Sequence, residues 1–433
     1  MIDNFIPIVA LGYFLLHIKK TGFQNFLVNL IFLSFFVFAT NYTNYGLDID
    51  IFRYLHRVIG ILVVADLLIH IIRNKINFFR DSAAQILLIF FLVLILSFFG
   101  NDINMPHYLH YVRNFIFTGS ISLYLFYKLD SNLKLDNLFI LIKGIVFLLS
   151  SFVLLELIQN GWGGPVKLFY GNANYLAYSL LLGLALIIFS NSNYMKWILL
   201  GIVLLAIFAT GSRAAIIGSI FIILIFITYQ QFKKKYLITG ALIIIPICIM
   251  YYDQLITNKN YNNTRIIIAQ ITFNIFKDNP INGLGYGQFR TKFRNYVTQD
   301  IFNKNNNEIN DTLMGFRGDF PSSEILATMT KTEQKDLNLF VNTEKMTHND
   351  FFTVVSELGL FGLFFLIYFF YKLYLELSRL ILHDRSVFLL SIAIIGSSLI
   401  FSMLHNNLTS YVFWFVLFIP FIINRNYETS QKL

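Results

Sequence analysis

The sequence predicts an all-α polytopic integral membrane protein, with about 12–13 transmembrane helices and one long extracytoplasmic loop. Three observations carry that prediction. The 433 residues are 56% hydrophobic and 13% charged, against roughly 25% charged in an ordinary soluble domain. A soluble fold of this size needs more polar surface than such a chain supplies. Apolar runs of about 14 to 26 residues recur with short polar breaks between them, which is the scale of a helix crossing a bilayer. One stretch, Thr257 to Asp350, is both long and polar.

In order, the apolar runs fall at 4–18, 24–40, 51–72, 83–100, 109–127, 138–158, 173–190, 196–210, 213–229, 237–256, 351–372, 386–404 and 408–423. Some are shorter than the roughly 20 residues usually needed to span, so the count ranges from about 11 to 14. Helix satisfies every backbone group against lipid, and the alternation of a transmembrane barrel is missing. The first run, within MIDNFIPIVALGYFLLHIKK, has no basic leader and no small-residue cleavage site, and is expected to be a retained helix. The chain therefore divides into a bundle of about ten spans over 1–256, an outer loop over 257–350, and C-terminal helices with a cytoplasmic tail over 351–433. The single cysteine, Cys248, excludes internal disulfides and cysteine-rich metal sites, and within ITGALIIIPICIM it reads as a small buried hydrophobe.

Charge sets the orientation. Alternate breaks hold Lys19 and Lys20, RNKINFFR, KLDSNLKLDN, NSNYMK, QQFKKK, Lys372 with Arg379 and Arg385, and the tail NRNYETSQKL. The other breaks, NYTNYGLDID, GNDINM, QNGWGGPVKLFYGN, TGSR and HNN, are poor in Lys and Arg. The first set is cytoplasmic by the positive-inside rule, and the long loop faces outward. The net charge of +9 is thereby explained without nucleic acid.

That orientation leaves basic residues on the side the rule disfavours. Arg53, His56 and Arg57 lie near the outer end of the third run, and His107, His110 and Arg113 near that of the fifth. Arg213 opens the ninth from outside. Each alone could snorkel to headgroups; as a group they predict an anion site open to the external face. Arg53 and Arg57 are four apart and share a helix face. Asp66 lies well inside a predicted span, where a carboxylate must be paired or protonated, whereas Glu156 sits near an outer end.

Three stretches could carry chemistry. In ATGSRAAIIGS, Thr210-Gly211 breaks the chain and Ser212 is placed to cap the next helix. Ala214, Ala215, Gly218 and Ser219 would let that helix pack closely. Arg213, beside free N–H groups at the helix start, suits a phosphate. In TRIIIAQITFNIFKDNPINGLGYGQF, Arg265 heads an amphipathic helix that Asn279-Pro280 stops. Gly283, Gly285 and Gly287 follow with the wrong spacing for a dinucleotide fingerprint, and predict a tight loop against the bundle. In MTHNDFFTVVSELGLFGLFF, His348 stands just outside a span, Asn349 or Asp350 can cap it, and Glu357 falls about two turns in. A neutral imidazole suits removal of a proton from a sugar hydroxyl. Scattered histidines, including His405, lack the spacing of a metal site.

At these three stretches the sequence resembles the O-antigen ligase and bacterial polysaccharide polymerase family. The family's pattern of His, then Asn, Ser or Gln, nine residues, Gly, two residues, and Gly, Thr or Tyr is matched by His348-Asn349, DFFTVVSEL, Gly359, Leu360-Phe361 and Gly362. Arg213 matches the arginine that opens a helix. Arg265 matches the arginine ahead of the NP…G.G.G.F run, here Asn279, Pro280, Gly283, Gly285, Gly287 and Phe289. The resemblance covers about residues 170–365, and the insert 302–345 carries none of its motifs.

The resemblance implies a metal-independent glycosyltransferase without cofactor, multi-pass in the bacterial cytoplasmic (inner) membrane. Its active site would face the periplasm, and its donor would be a glycan on undecaprenyl diphosphate. Arg213, Arg265 and His348 become the expected catalytic residues. Arg53, Arg57, Arg113, Asn349 and Gly285 become the expected substrate-binding residues. The leading expectation is a ligase that joins the glycan to lipid A-core. The alternatives are a repeat-unit polymerase, whose acceptor is a second lipid-linked glycan, and a protein O-oligosaccharyltransferase. A polysaccharide transporter or flippase would instead show paired charges near the midplane and pseudo-repeated halves.

Overall fold

The computed structural model describes residues 2–22, 26–34, 50–74, 81–99, 101–161, 165–168, 173–190, 194–230, 259–296, 349–405, 408 and 410–431, with 2–5, 7, 50–57, 74, 259–267 and 294 described as helical backbone alone. The run at 237–256 lies outside these residues, as does most of the long loop. Among the described residues every regular element is helical: α1 (Ile2–Thr21), α2 (Phe26–Leu33), α3 (Asp50–Asn74), α4 (Ser82–Leu96), α5 (Met105–Lys128), α6 (Asn132–Asn160), α7 (Ala173–Ile188), α8 (Tyr194–Ala209), α9 (Arg213–Tyr229), α10 (Lys259–Asp278), α11 (Phe289–Lys292), α12 (Asp350–Thr353), α13 (Gly359–His383), α14 (Arg385–Ser402) and α15 (Tyr411–Ser430). Three segments, Asn132–Asn160, Asp350–His383 and Arg385–Ser402, are long and apolar enough to cross a membrane; α4, α7, α8 and α9 are shorter apolar helices. The chain is thus an all-α protein of polytopic membrane character.

Apolar residues encircle α15, and a helix of that kind has to be buried on every side. Residues 411 to 424 are accordingly buried throughout. Trp414, 1% exposed, packs against the rings of Phe90, Phe115, Phe369 and Phe418, and donates its indole N–H to the Leu408 carbonyl at 2.8 Å. Around it α5 packs on α3, α4 and α15, while α9 packs on α7 and α14. The rim carries Ile72, Ile158, Phe364 and Ile367, each more than 60% exposed. An apolar rim around an apolar centre suits lipid rather than water as the surrounding solvent.

The expected close packing of α9 is present. Ala214, Ala215, Gly218 and Ser219 are all buried. A β-carbon on Gly218 would approach Leu181 to 2.8 Å and Ser397 to 3.5 Å, and Gly396 faces Phe221. These contacts run α9 antiparallel to α14, so Arg213 lies at the end of the bundle where α14 finishes.

Polar contacts stitch the opposite end. Arg425 and Asn426 donate to the Leu129 carbonyl at 2.9 and 3.2 Å. Asn424 donates to Glu376 at 2.7 Å, which also pairs with Arg379 at 3.2 Å. Asp66 is paired, its carboxylate 2.9 Å from the Lys128 ammonium. Both partners are about a third exposed, which limits the pair to roughly 0–1 kcal/mol.

Candidate functional site

The polar loops at the Arg213 end converge on one built unit. Helix α10 buries Ile268, Ile271 and Ile275 and leaves Phe273 exposed, the one-sided pattern expected of an amphipathic run. It stops at Asp278, ahead of Asn279-Pro280. The chain then makes the glycine-rich loop, with Gly283, Gly285 and Gly287 at φ 65, 93 and 77°. The tight loop against the bundle is therefore present.

This loop docks on the chain that follows Asn349. The Asn349 side chain caps α12 by accepting the N–H groups of Phe351 and Phe352 at 2.8 and 3.1 Å. The helix next widens into one π turn, Val354–Leu358, and breaks at Gly359, φ 58°. The freed backbone groups pair with the glycine-rich loop. Leu284 donates to the Ser356 carbonyl at 2.8 Å, Gly285 to that of Glu357 at 3.0 Å, and Leu360 to that of Pro280 at 2.8 Å. Two glycines make the approach possible. A β-carbon on Gly283 would lie 2.3 Å from the Glu357 backbone, and one on Gly359 would lie 2.6 Å from the Gly283 nitrogen. Glu357, 4% exposed, closes the joint, for its carboxylate accepts the Gly287 and Phe289 N–H groups, each at 2.9 Å.

The far side of the loop docks on the turn between α4 and α5. Tyr286 donates its N–H to the Ser97 hydroxyl at 3.2 Å, and Asn282 donates to the Phe99 carbonyl. Gln288 both accepts the Asn104 N–H at 2.8 Å and donates to the Asn104 carbonyl at 3.3 Å. Lys292 donates to the Asp102 carbonyl. Asp350 ties in the turn between α14 and α15 by accepting the Leu408 N–H at 3.2 Å. It also lies within electrostatic range of Tyr175, Tyr178 and Tyr286.

The expected site residues fall as follows. Arg213 is the first residue of α9 and is half-buried. The cap expected beneath it is not made: Ser212 occupies the N-cap position without a side-chain capping bond. Its own N–H donates to Thr210 Oγ1 at 3.2 Å. Arg53 and Arg57 lie one turn apart in the first turns of α3, and Arg265 in α10. Arg113 is exposed on α5 and hydrogen-bonds His110 at 3.1 Å. Gly285 is buried, its N–H taken by Glu357 and the space beside its Cα filled by Ile103 and the Ser97 carbonyl. His348 lies outside the described residues. Among the described residues no group of three or more His, Cys, Asp or Glu side chains could hold a metal ion.

Two residues at this end were not singled out as site candidates from sequence. Glu357 is the buried clamp, with partners some 70 residues away. Arg290, directly after the GYGQF run, donates to the Tyr111 hydroxyl and lies within electrostatic range of His110. Its place beside the glycine-rich motif was the available signal.

Fold and site together define an all-α membrane protein in which a glycine-rich loop and a broken helix form one unit at one end of the bundle. Residues 197–312 match the family model described as O-Antigen ligase. The match runs from α8 through the glycine-rich loop, taking in Arg213 and Arg265, and supports the family assignment that the motifs imply. The match points to an enzyme of the ligase or glycosyltransferase type. No curated protein and no solved structure matches it.

Proposed function

We propose that the protein transfers a glycan from undecaprenyl diphosphate to a lipid A-core sugar at the outer face of the cytoplasmic membrane. About 12–13 crossings would place the long loop and its arginines on that face. The observation that carries this reading is the single joint made by the two family motifs. The glycine-rich loop after the Arg265 helix is hydrogen-bonded to the turn that begins at Asn349, the residue next to His348. Arg213 opens α9 at the same end of the bundle, where its guanidinium and the positive end of the helix dipole suit a phosphate.

In this reading Arg213 and Arg265 hold the donor diphosphate. His348 takes the proton of the acceptor hydroxyl as that oxygen bonds to the anomeric carbon. The bond from that carbon to the phosphate oxygen breaks, and the electron pair leaves with the diphosphate, whose growing charge the arginines stabilise. No metal takes part in these steps.

The test is reconstitution of the full chain with an undecaprenyl-diphosphate-linked glycan, with and without lipid A-core. Glycan attached to the core supports the ligase. Chain growth without the core would make the protein a polymerase, and absence of transfer to either acceptor would overturn the reading.

A further inference from the structure

We propose that His110, Arg113 and Arg290 form a second anion seat, separate from Arg213, that holds a phosphate of the acceptor lipid. The inference rests on the transfer reading above, because joining two lipid-borne molecules requires two headgroup seats.

The first support is position on α5. Leu109 and Ile116 are 56% and 48% exposed, and Arg113 lies between them at the spacing of a single helix face. A cation is thereby set in an exposed apolar stripe, two turns from the helix start at Met105.

The second support is how the cations are held. Arginine donates only, so the 3.1 Å contact between Arg113 Nη2 and His110 Nδ1 makes Nδ1 the acceptor. A neutral imidazole then carries its proton on Nε2. The Asn114 Nδ2 stands 3.1 Å from Nε2, and turning the amide over brings its oxygen to the same place, where it accepts the Nε2 proton. Asn114 thus orients His110, and His110 orients Arg113. Arg290 approaches from the glycine-rich loop. The N–H of the preceding residue, Phe289, is held by Glu357. The Tyr111 ring lies where a β-carbon on Gly287 would stand, 2.5 Å from it, and the Tyr111 hydroxyl accepts from Arg290. Arg113, His107 and Arg290 all act electrostatically on His110, so positive charge gathers on one small surface.

The third support is separation from the donor groups. Arg213 begins a helix packed on α7 and α14, whereas α5 packs on α3, α4 and α15. Arg265 is 13 residues before the end of α10, so about 20 Å of helix axis lie between it and the start of the glycine-rich loop.

The experiment uses the full chain in phosphatidylcholine nanodiscs with fluorescent lipid A-core as probe, either phosphorylated or dephosphorylated. Wild type is expected to prefer the phosphorylated probe by about tenfold or more. Arg290→Ala and Arg113→Gln should each remove most of that preference, and Arg290→Lys should restore part of it. The affinity of each variant for undecaprenyl diphosphate should remain within about twofold of wild type. Gel filtration of each variant as a single sharp species confirms folding, and Arg290→Lys serves as the folded comparison where the alanine variant aggregates. The seat is overturned if the preference survives undiminished in Arg113→Gln and Arg290→Ala (in Arg113→Gln alone where the alanine variant aggregates), if undecaprenyl diphosphate affinity falls in its place, or if phosphatidylglycerol competes as well as the probe. Phosphate-selective binding in a wild-type protein that transfers no glycan would refute the transfer reading and leave the seat standing.

Discussion

Glu357 accepts the backbone N–H of Gly287 at 2.9 Å, and its second carboxylate oxygen accepts that of Phe289 at the same distance. The carboxylate thereby fastens the helix that follows His348 to the loop that follows the arginine helix. Two motifs far apart in the chain act as one piece because this side chain spans them.

Removing the clamp should loosen both motifs together. Glu357→Ala leaves two buried N–H groups without an acceptor, at roughly 1–3 kcal/mol each. Glu357→Gln retains one acceptor oxygen and should cost less. Thermal unfolding in detergent ought to rank wild type above Gln above Ala. Alanine and wild-type proteins melting together would show that the carboxylate is not the fastener.

Gly359→Ala should be more damaging than an alanine substitution in an ordinary helix, which costs nothing relative to glycine. The residue has φ 58°, and its β-carbon would stand 2.6 Å from the backbone of Pro280, Ile281 and Gly283. The loop would have to lift, breaking the bonds from Leu284, Gly285 and Leu360. The expected result is a loss of several kcal/mol and faster amide exchange at 283–289 than in wild type. Unchanged exchange there would mean that the loop docks by other contacts.

How much of this was legible in the sequence follows from range. Helix positions depend on local runs of apolar residues, so α4, α5, α7 to α9 and α14 were readable to within a few residues, whereas α6 begins earlier and α13 and α15 run well past the ends of their apolar runs, to His383 and Ser430. The close packing of α9 was readable from Ala214, Ala215, Gly218 and Ser219, and the stop of α10 from Asn279-Pro280. The Asn349 cap was readable as well, since its partners are Phe351 and Phe352. Glu357 was visible only as a carboxylate two turns into a span. Its partners lie across the long loop, and no local pattern announces them. The π turn was hidden for the same reason, because docking of the glycine-rich loop takes up the backbone groups it releases. At Ser212 local reasoning misled: residue type favours a cap, yet the side chain makes no capping bond. Arg290 carries no periodic signal, and its role emerges only when Tyr111 is brought against Gly287.

Arg213 and His348 should separate by step. With Arg213 on the donor diphosphate, Arg213→Ala should weaken binding of undecaprenyl diphosphate and lower transfer by about a hundredfold or more. With His348 on the acceptor hydroxyl, His348→Ala should lower transfer by about 10²–10⁴-fold while leaving donor binding near wild type. Single-turnover transfer and donor binding in the same preparation check both. Loss of donor binding in His348→Ala would move that residue to the diphosphate, and full transfer by Arg213→Ala would remove Arg213 from the site.

At the other end of the bundle, Asp384 makes stability depend on acid. Burial alone would raise its pKa, but one carboxylate oxygen accepts the Ser386 N–H and hydroxyl, each at 2.7 Å, and the Val387 N–H at 3.3 Å. These bonds outweigh burial and hold Asp384 below its ordinary value. A carboxyl depressed by folding stabilises the protein fully above its unfolded pKa, near 4, and the contribution fades as pH falls through the lower folded value. Asp384→Ala removes the N-cap of α14 and should cost about 1 kcal/mol at pH 7, with the gap to wild type narrowing toward pH 3. Asp384→Asn keeps a capping oxygen without the charge, so its stability should track pH less steeply than wild type across that range. Melting curves of the three proteins between pH 3 and 7 decide the point, and an alanine deficit that stays constant into acid would show that the ionised carboxylate is not what caps α14.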